Sequence, residues 1–463
     1  MNLSRGLFTV YALYLLVAVP AALYCHAHLY WDGAYYFAEL IRTGQTSAGL
    51  SLARVFHAGI TQLPTLLARE AGLGDPRLLS WIYGASLYLP PLFAYAGATW
   101  LLLRHGLVAI AVLVTGIFAL TATFGWFFII SESHLGAAIY VLTLAVLLTA
   151  DFARWRSWLL LAGLCLLGCS LYEFWVFYFG LLLALLFVLR TRWAAVRGRI
   201  LVLGLLCGAG SAWNAYAILN TKLAGNRDGM LQHLLSTRGE TAAILIAFVL
   251  LAALCWRASR PAPGFRAAPG PWLVGAGLAF FTLAVFFRAA TPWHAYNHRL
   301  LNLFLPVGLS LGLLWVLRRA ASTEQLRLPA LSGWPGFPWV VAHCGALPAL
   351  VLIFHAAGFR EYTLRLTSLC AEQRGYFAVD LSRRDLQRYS GVWNVPTTAL
   401  VFQAVQRAPF TAVAYVRDQS FQPYGPEQSV AARELARQLR PGASQEGLTA
   451  PPSAVPEAVP GAR

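Results

Sequence analysis

From residue 7 to residue 356 the chain alternates between long apolar stretches and short polar joints in which arginine dominates. A helix rises 1.5 Å per residue, so a stretch of about twenty apolar residues covers a hydrocarbon layer of roughly 30 Å. On that ruler the pattern predicts about eleven crossings. They fall at residues 7–24, 78–103, 107–130, 135–150, a pair within 158–189, then 200–219, 241–256, 272–287, 300–317 and 339–354. The stretch 158–189 needs a decision: one helix there would be about 48 Å long, while two would cross at about 24 Å each. Charge makes it. With two helices, Arg5, Arg104, Arg154, Arg156, the run Arg190, Arg192, Arg197 and Arg199, then Arg257, Arg260, Arg266, Arg318, Arg319 and Arg327 all fall on one side. By the positive-inside rule that side is the cytoplasm; a single helix would put the four-arginine run outside.

The expected fold class is therefore all-α: a polytopic transmembrane helical protein with a cytoplasmic N-terminus and a small outer C-terminal appendage. Residues 1–356 form the transmembrane part, with a long first outer loop at 26–77. Residues 357–427 form the small extracytoplasmic region. In 428–463 a helix is expected, followed by a disordered tail, GASQEGLTAPPSAVPEAVPGAR, rich in Ala, Pro and Gly. The first apolar segment lacks a small-residue cleavage site, so it reads as a retained anchor. Pro90-Pro91 and Pro306 are expected to interrupt two of the helices.

Composition agrees: hydrophobic residues make up 58% of the chain and charged ones 12%, which excludes an ordinary soluble domain. The excess of 35 Lys and Arg over 19 Asp and Glu, +16, suits loops that touch anionic membrane lipid, and nucleic acid is not an expected partner. Lys222 is the only lysine, which fits a GC-rich bacterial gene and hence the inner membrane of a bacterium. Seven cysteines lie scattered with no C-x-x-C pair, so neither a zinc site nor a disulfide framework is expected.

All candidate chemistry falls on the outer side. Asp32 stands at the outer end of the first helix among Tyr30, Trp31, Tyr35, Tyr36 and Phe37, followed by Glu39 and Arg42 on an amphipathic helix; a second such helix is expected through 52–70. The competing structural reading makes Asp32 a helix cap and the aromatics an interfacial belt. Glu132 and His134 lie in the turn SESH, where capping by serine is also sufficient. Glu173, in CSLYEFWVFYFG, is the one ionisable group in some thirty apolar residues. A carboxylate at that depth costs several kcal/mol unless it is paired or faces a watery cavity. In FFRAATPWHAYNHRLLN, Arg288, His294, His298 and Arg299 gather where the chain leaves and re-enters the membrane. Arginine's forked donors match phosphate oxygens, and imidazoles add hydrogen bonds; the plainer reading is snorkelling to headgroups. No metal set is convincing, although a divalent cation could sit between Asp32 and Glu132. No glycine loop of the G-x-x-x-x-G-K type is present, so no nucleotide cofactor is expected.

An acidic residue in a long first outer loop, about eleven helices and a small outer appendage resemble the GT-C superfamily of membrane glycosyltransferases. The stretch HLYWDGAYYF is similar to the W-D-x-x-Y-F run after the first helix of the mannosyltransferases of glycosylphosphatidylinositol assembly. It departs from members with two adjacent acids, since Gly33 follows Asp32. The resemblance implies a polyprenyl-phosphate sugar as donor, a hydroxyl on a glycan, lipid or protein as acceptor, and Asp32 as the base. Arg288, His298 and Arg299 would then hold the departing phosphate. Two rivals share much of this pattern: a polymerase or ligase of lipid-linked oligosaccharides, and a non-enzymatic transporter or flippase of lipid-linked sugars.

Overall fold

Inside a hydrocarbon layer a backbone can satisfy its N–H and C=O groups only within its own helix or a closed barrel, and the described apolar stretches of this chain are helices. The computed structural model describes residues 3–30, 32–46, 54–127, 132–152, 154–190, 196–219, 295–319, 337–379, 389, 394–416 and 423–440. The first segment is α1 (Leu3–Leu13), a π-helical turn (Tyr14–Ala18) and α2 (Val19–Tyr24). After a 3-10 turn (Ala27–Leu29) come α3 (Asp32–Thr43), α4 (Val55–Glu70), α5 (Pro76–Arg104), α6 (Val108–Phe127) and α7 (Glu132–Thr149). Then follow α8 (Trp155–Gly168), α9 (Trp175–Leu189), α10 (Arg197–Leu219), α11 (Ala295–Arg319) and α12 (Phe337–Glu372). The runs Ser4–Tyr24, Pro76–Arg104 and Arg197–Ala217 are long and apolar enough to cross a membrane, and several shorter apolar helices accompany them. The expected crossings at 241–256 and 272–287 lie outside the described residues.

Side-chain contacts fix the direction of each helix. The Tyr11 hydroxyl lies 2.7 Å from Thr99 Oγ1 and the Tyr14 hydroxyl bonds the Ala119 carbonyl, so α1 runs alongside α6 and against α5. In α7 and α11, Asn302 Nδ2 donates to Ser133 Oγ at 2.8 Å, and Tyr140 meets Ser310 at 2.7 Å, so the two run in parallel. The stretch 158–189 is two antiparallel helices. Near the start of α10, Trp158 Nε1 bonds the Arg199 carbonyl. Near its end, Asn214 reaches the Cys169 carbonyl and Ser211 the Val176 carbonyl. The chain therefore reverses at 169–174. It follows that Arg5, Arg104, Arg154, Arg156, Arg190, Arg197, Arg199, Arg318 and Arg319 all stand at one end of the bundle, as the paired arrangement requires. Arg192, Arg257, Arg260, Arg266 and Arg327 lie outside the described residues.

Three expectations need correction. α5 and α11 continue unbroken through Pro90, Pro91 and Pro306; in α11 the carbonyl that Pro306 frees, that of Asn302, accepts from the Tyr178 hydroxyl instead. α12 runs through residue 356 to Glu372, so helix and appendage share one rigid element. The fold is not all-α: β1 (Gly375–Ala378) and β2 (Ala412–Tyr415) pair in parallel, with Gly375 opposite Ala412 and Ala378 opposite Tyr415. Between them α13 (Val395–Val405) is buried on every face, and α14 (Ser429–Leu439) closes the unit against α3. Two four-residue strands, GYFA and AVAY, carry no polar alternation, so period-two patterning could not reveal them. The expected tail, 441–463, lies outside the described residues.

The shared arginine end predicts the topology. Alkaline phosphatase, which folds only outside the cytoplasm, should be active when joined after Tyr424 and inactive when joined at Arg199; the reverse pattern would invert the orientation.

Candidate functional site

The end of the bundle opposite the arginines is where the sequence placed its chemistry. Glu173 lies in the turn between α8 and α9, and its Oε1 accepts from Arg54 Nε at 2.8 Å, with the side chains only 18% and 15% exposed. The Arg54 guanidinium also lies 5.2 Å above the Tyr172 ring, and Phe56 N–H donates to the Ser170 carbonyl at 2.9 Å. The start of α4 is thus clamped onto the turn. The turn itself closes tightly because Gly168 has no side chain: a Cβ there would stand 2.2 Å from the Trp175 ring. Glu173 meets the cost of a carboxylate at this depth by pairing, one of the two ways open to it. Its Oε2 is buried with no hydrogen-bond partner.

Beside this clamp, α7 and α11 start at the same end. Glu132 opens α7, and His298 and Arg299 lie in the first turn of α11, one turn before Asn302. Asn302 binds Ser133, its Oδ1 lies 3.5 Å from His134 Nδ1, and its carbonyl accepts from the Tyr178 hydroxyl. The His134 ring packs 5.7 Å from the Tyr95 ring. The starts of two helices, with the positive ends of their dipoles, and a buried polar cluster therefore meet here, a setting that favours an anion. Arg288 and His294 lie outside the described residues.

Asp32 heads α3, half-buried, where the chain leaves the 3-10 turn. Glu39, two turns on, accepts from Arg42 Nη2 at 2.7 Å and from the Tyr424 hydroxyl, so it ties the appendage to α3. Burial and then the Glu39 carboxylate hold the Tyr424 phenol well above its ordinary range. Asp75 makes a second tie: it caps α5 through Arg77 N–H at 2.9 Å and binds Arg407 at 2.8 Å. Burial pushes its carboxyl up, but those hydrogen bonds bring it below the usual value. Arg69 completes the joint by bonding the Ile41 carbonyl and Gln438. Sequence reasoning found Glu39 and Glu173 but missed Arg54, Asn302, Tyr424 and Arg407. Each partner is distant in the chain, so no local spacing announces it. Among the described residues no group of three or more His, Cys, Asp and Glu side chains could hold a metal ion.

His26, just beyond the first span, adopts a left-handed φ of 53°, and its Nδ1 lies 3.2 Å from Ser80 Oγ. Burial first, and then the cations of Arg77 and Arg360, push its imidazole down to about 4.

The class that fold and site define is a mostly helical protein with helices of membrane-spanning length and a small α/β unit over one end. Comparison with protein-family models, curated proteins and solved structures finds no match to this chain.

Two outcomes follow. Glu173→Gln or Arg54→Gln should lower stability by roughly 3 kcal/mol, because each breaks a buried ion pair, whereas the joint change of Glu173→Leu and Arg54→Met should recover much of the loss. Thermal unfolding of the purified protein measures both, and equal losses in single and double variants would remove the pair from the account. His26, neutral when folded, keeps its full stabilisation above the unfolded value of 6.5 and loses it as pH falls from there to about 4. A His26→Gln variant should show a flatter decline of melting temperature across that window.

Proposed function

We propose that the protein is a membrane glycosyltransferase of GT-C type that moves a sugar from a polyprenyl-phosphate donor to a hydroxyl of a glycan, lipid or protein. The observation that carries the reading is the gathering at one end of the bundle, away from the arginines, of Asp32, the Glu173–Arg54 clamp and the starts of α7 and α11. The reaction needs a proton acceptor and groups that meet charge on the departing phosphate. Asp32 takes the acceptor hydroxyl's proton as the acceptor oxygen bonds the anomeric carbon. The bond from that carbon to the phosphate oxygen breaks, and the electron pair leaves with polyprenyl phosphate. Charge accumulating on that phosphate is met by the helix starts and by His298 and Arg299 of α11, with Arg288 and His294 as further candidates. Glu132 and His134 line the α7 start beside them, while Glu39 and Glu173 hold the first outer loop in place. In this reading the protein sits in the inner membrane of a bacterium with its reaction on the extracytoplasmic face.

Asp32→Asn preserves shape and capping while removing the proton acceptor. The variant should reach the membrane at normal abundance and bind donor lipid, while transfer from a panel of polyprenyl-phosphate sugars falls by about a hundredfold or more. Turnover near the wild-type rate would leave Asp32 as a helix cap and pass the base to Glu132.

A further inference from the structure

Two arginines at the rim of the bundle opposite the shared arginine end have no counter-ion among the described residues. The Arg77 guanidinium lies over the Trp81 ring at 5.0 Å, and that of Arg360 over the Tyr24 ring at 4.3 Å. Among the described residues neither has a carboxylate within ion-pair distance. The nearest acid in sequence to Arg77, Asp75, spends its carboxylate on the Arg77 backbone N–H and on Arg407. Beside Arg360, Glu361 reaches towards Arg365 at 4.0 Å. Arg77 Nε is buried with no acceptor, and so is the indole Nε1 of Trp81. His26 has its ring 6.4 Å from Trp81 and 6.1 Å from Phe402, with Ser80 on its Nδ1. Both cations lie near enough to bear on its charge, so α5, α12 and the turn after α2 bring Arg77, Arg360 and His26 to one neighbourhood.

Half-buried guanidiniums without counter-ions are costly, and the cost is removed when an anion docks. Forked donors and a neighbouring indole N–H suit the oxygens of a phosphate better than a single carboxylate. The surroundings say where that phosphate comes from. Tyr24 ends the first membrane-spanning run and is 51% exposed, with Phe354 of α12 and Leu78 of α5 exposed on the same rim. Stacked aromatics and arginines at such a boundary lie at headgroup depth. We propose that Arg77 and Arg360, with Trp81 and His26, form a binding site for the phosphate of a lipid headgroup at the outer rim between α2, α5 and α12. This site is separate from the α7 and α11 helix starts and does not depend on the transferase reading.

The full-length protein in neutral detergent can be titrated with dioleoyl phosphatidylglycerol, with dioleoylglycerol of the same chains, and with inorganic phosphate, counting bound lipid by native mass spectrometry. Phosphatidylglycerol should bind about tenfold or more tighter than dioleoylglycerol, as expected of charge-assisted bonds to phosphate. The double variant Arg77→Gln with Arg360→Gln should erase that preference, and Arg77→Lys with Arg360→Lys, which keeps charge without the fork, should keep only part of it. Arg154→Gln with Arg156→Gln removes the same charge at the opposite end, where arginines also meet anionic lipid, and should take away clearly less of the preference than the glutamine pair at 77 and 360. Equal binding of the two lipids by the wild type, a preference that survives in the glutamine variant, or an equal loss in the opposite-end control would overturn the site. Displacement of phosphatidylglycerol by inorganic phosphate at matched concentration would overturn the lipid as its source.

Discussion

A carboxylate carried into the apolar bundle must find a cation, and much of the outer architecture follows from how Glu173 finds one. Its partner, Arg54, is 119 residues away at the head of α4, so the ion pair pins the first outer loop onto the turn between α8 and α9. From that anchor α4 runs to Arg69, which holds the end of α3 through the Ile41 carbonyl. α3 in turn holds the appendage through Glu39 and Tyr424. A continuous set of ties thus leads from the bundle interior to the C-terminal unit, and Arg407 closes it by returning to Asp75 at the start of α5.

The joint between appendage and bundle is polar where it faces outward and apolar where it faces inward. Phe359 of α12 packs against Tyr30, Phe402 and Tyr389, while α13 is buried throughout. α12 passes from the bundle into this core without a break, so the appendage cannot turn freely on a hinge at residue 356. Whatever binds at the outer end meets a framed surface, and such a frame favours chemistry that depends on fixed charges.

The helical layout was legible because apolar length and arginine placement are properties of single segments. The reversal at 169–174 was read from the arginines at 190 to 199 alone, and the contacts of α10 with both α8 and α9 bear it out. The short strands were not legible, since GYFA and AVAY look like any apolar fragment until they pair across 37 positions of sequence. The prolines misled for a similar reason: local chemistry argues for a break, and packing overrides it. Site residues divide along the same line. Glu39 and Glu173 stood out as acids in unusual settings, whereas Arg54, Tyr424 and Arg407 gain their roles only from partners far along the chain.

Charge placement follows helix direction more closely than any single motif. α5, α7, α9 and α11 all start at the end opposite the arginines, where Asp75, Glu132 and Glu173 stand at or beside the starts of the first three, and Asp32 heads α3 in the same way. At the other end α5, α9 and α11 finish with Arg104, Arg190 and the pair Arg318 and Arg319, the placement that complements the partial charges of helix ends, while α7 finishes with no basic residue in its last turn. Helix polarity accounts for only part of this separation, because Arg5, Arg154, Arg156, Arg197 and Arg199 stand at the starts of α1, α8 and α10, where the dipole does not favour a cation. The end opposite the arginines also carries the positive ends of the α5, α7, α9 and α11 dipoles. A protein built for span and polarity by these rules arrives with a place where an anion is welcome, and a phosphate leaving group needs little more than that to be held.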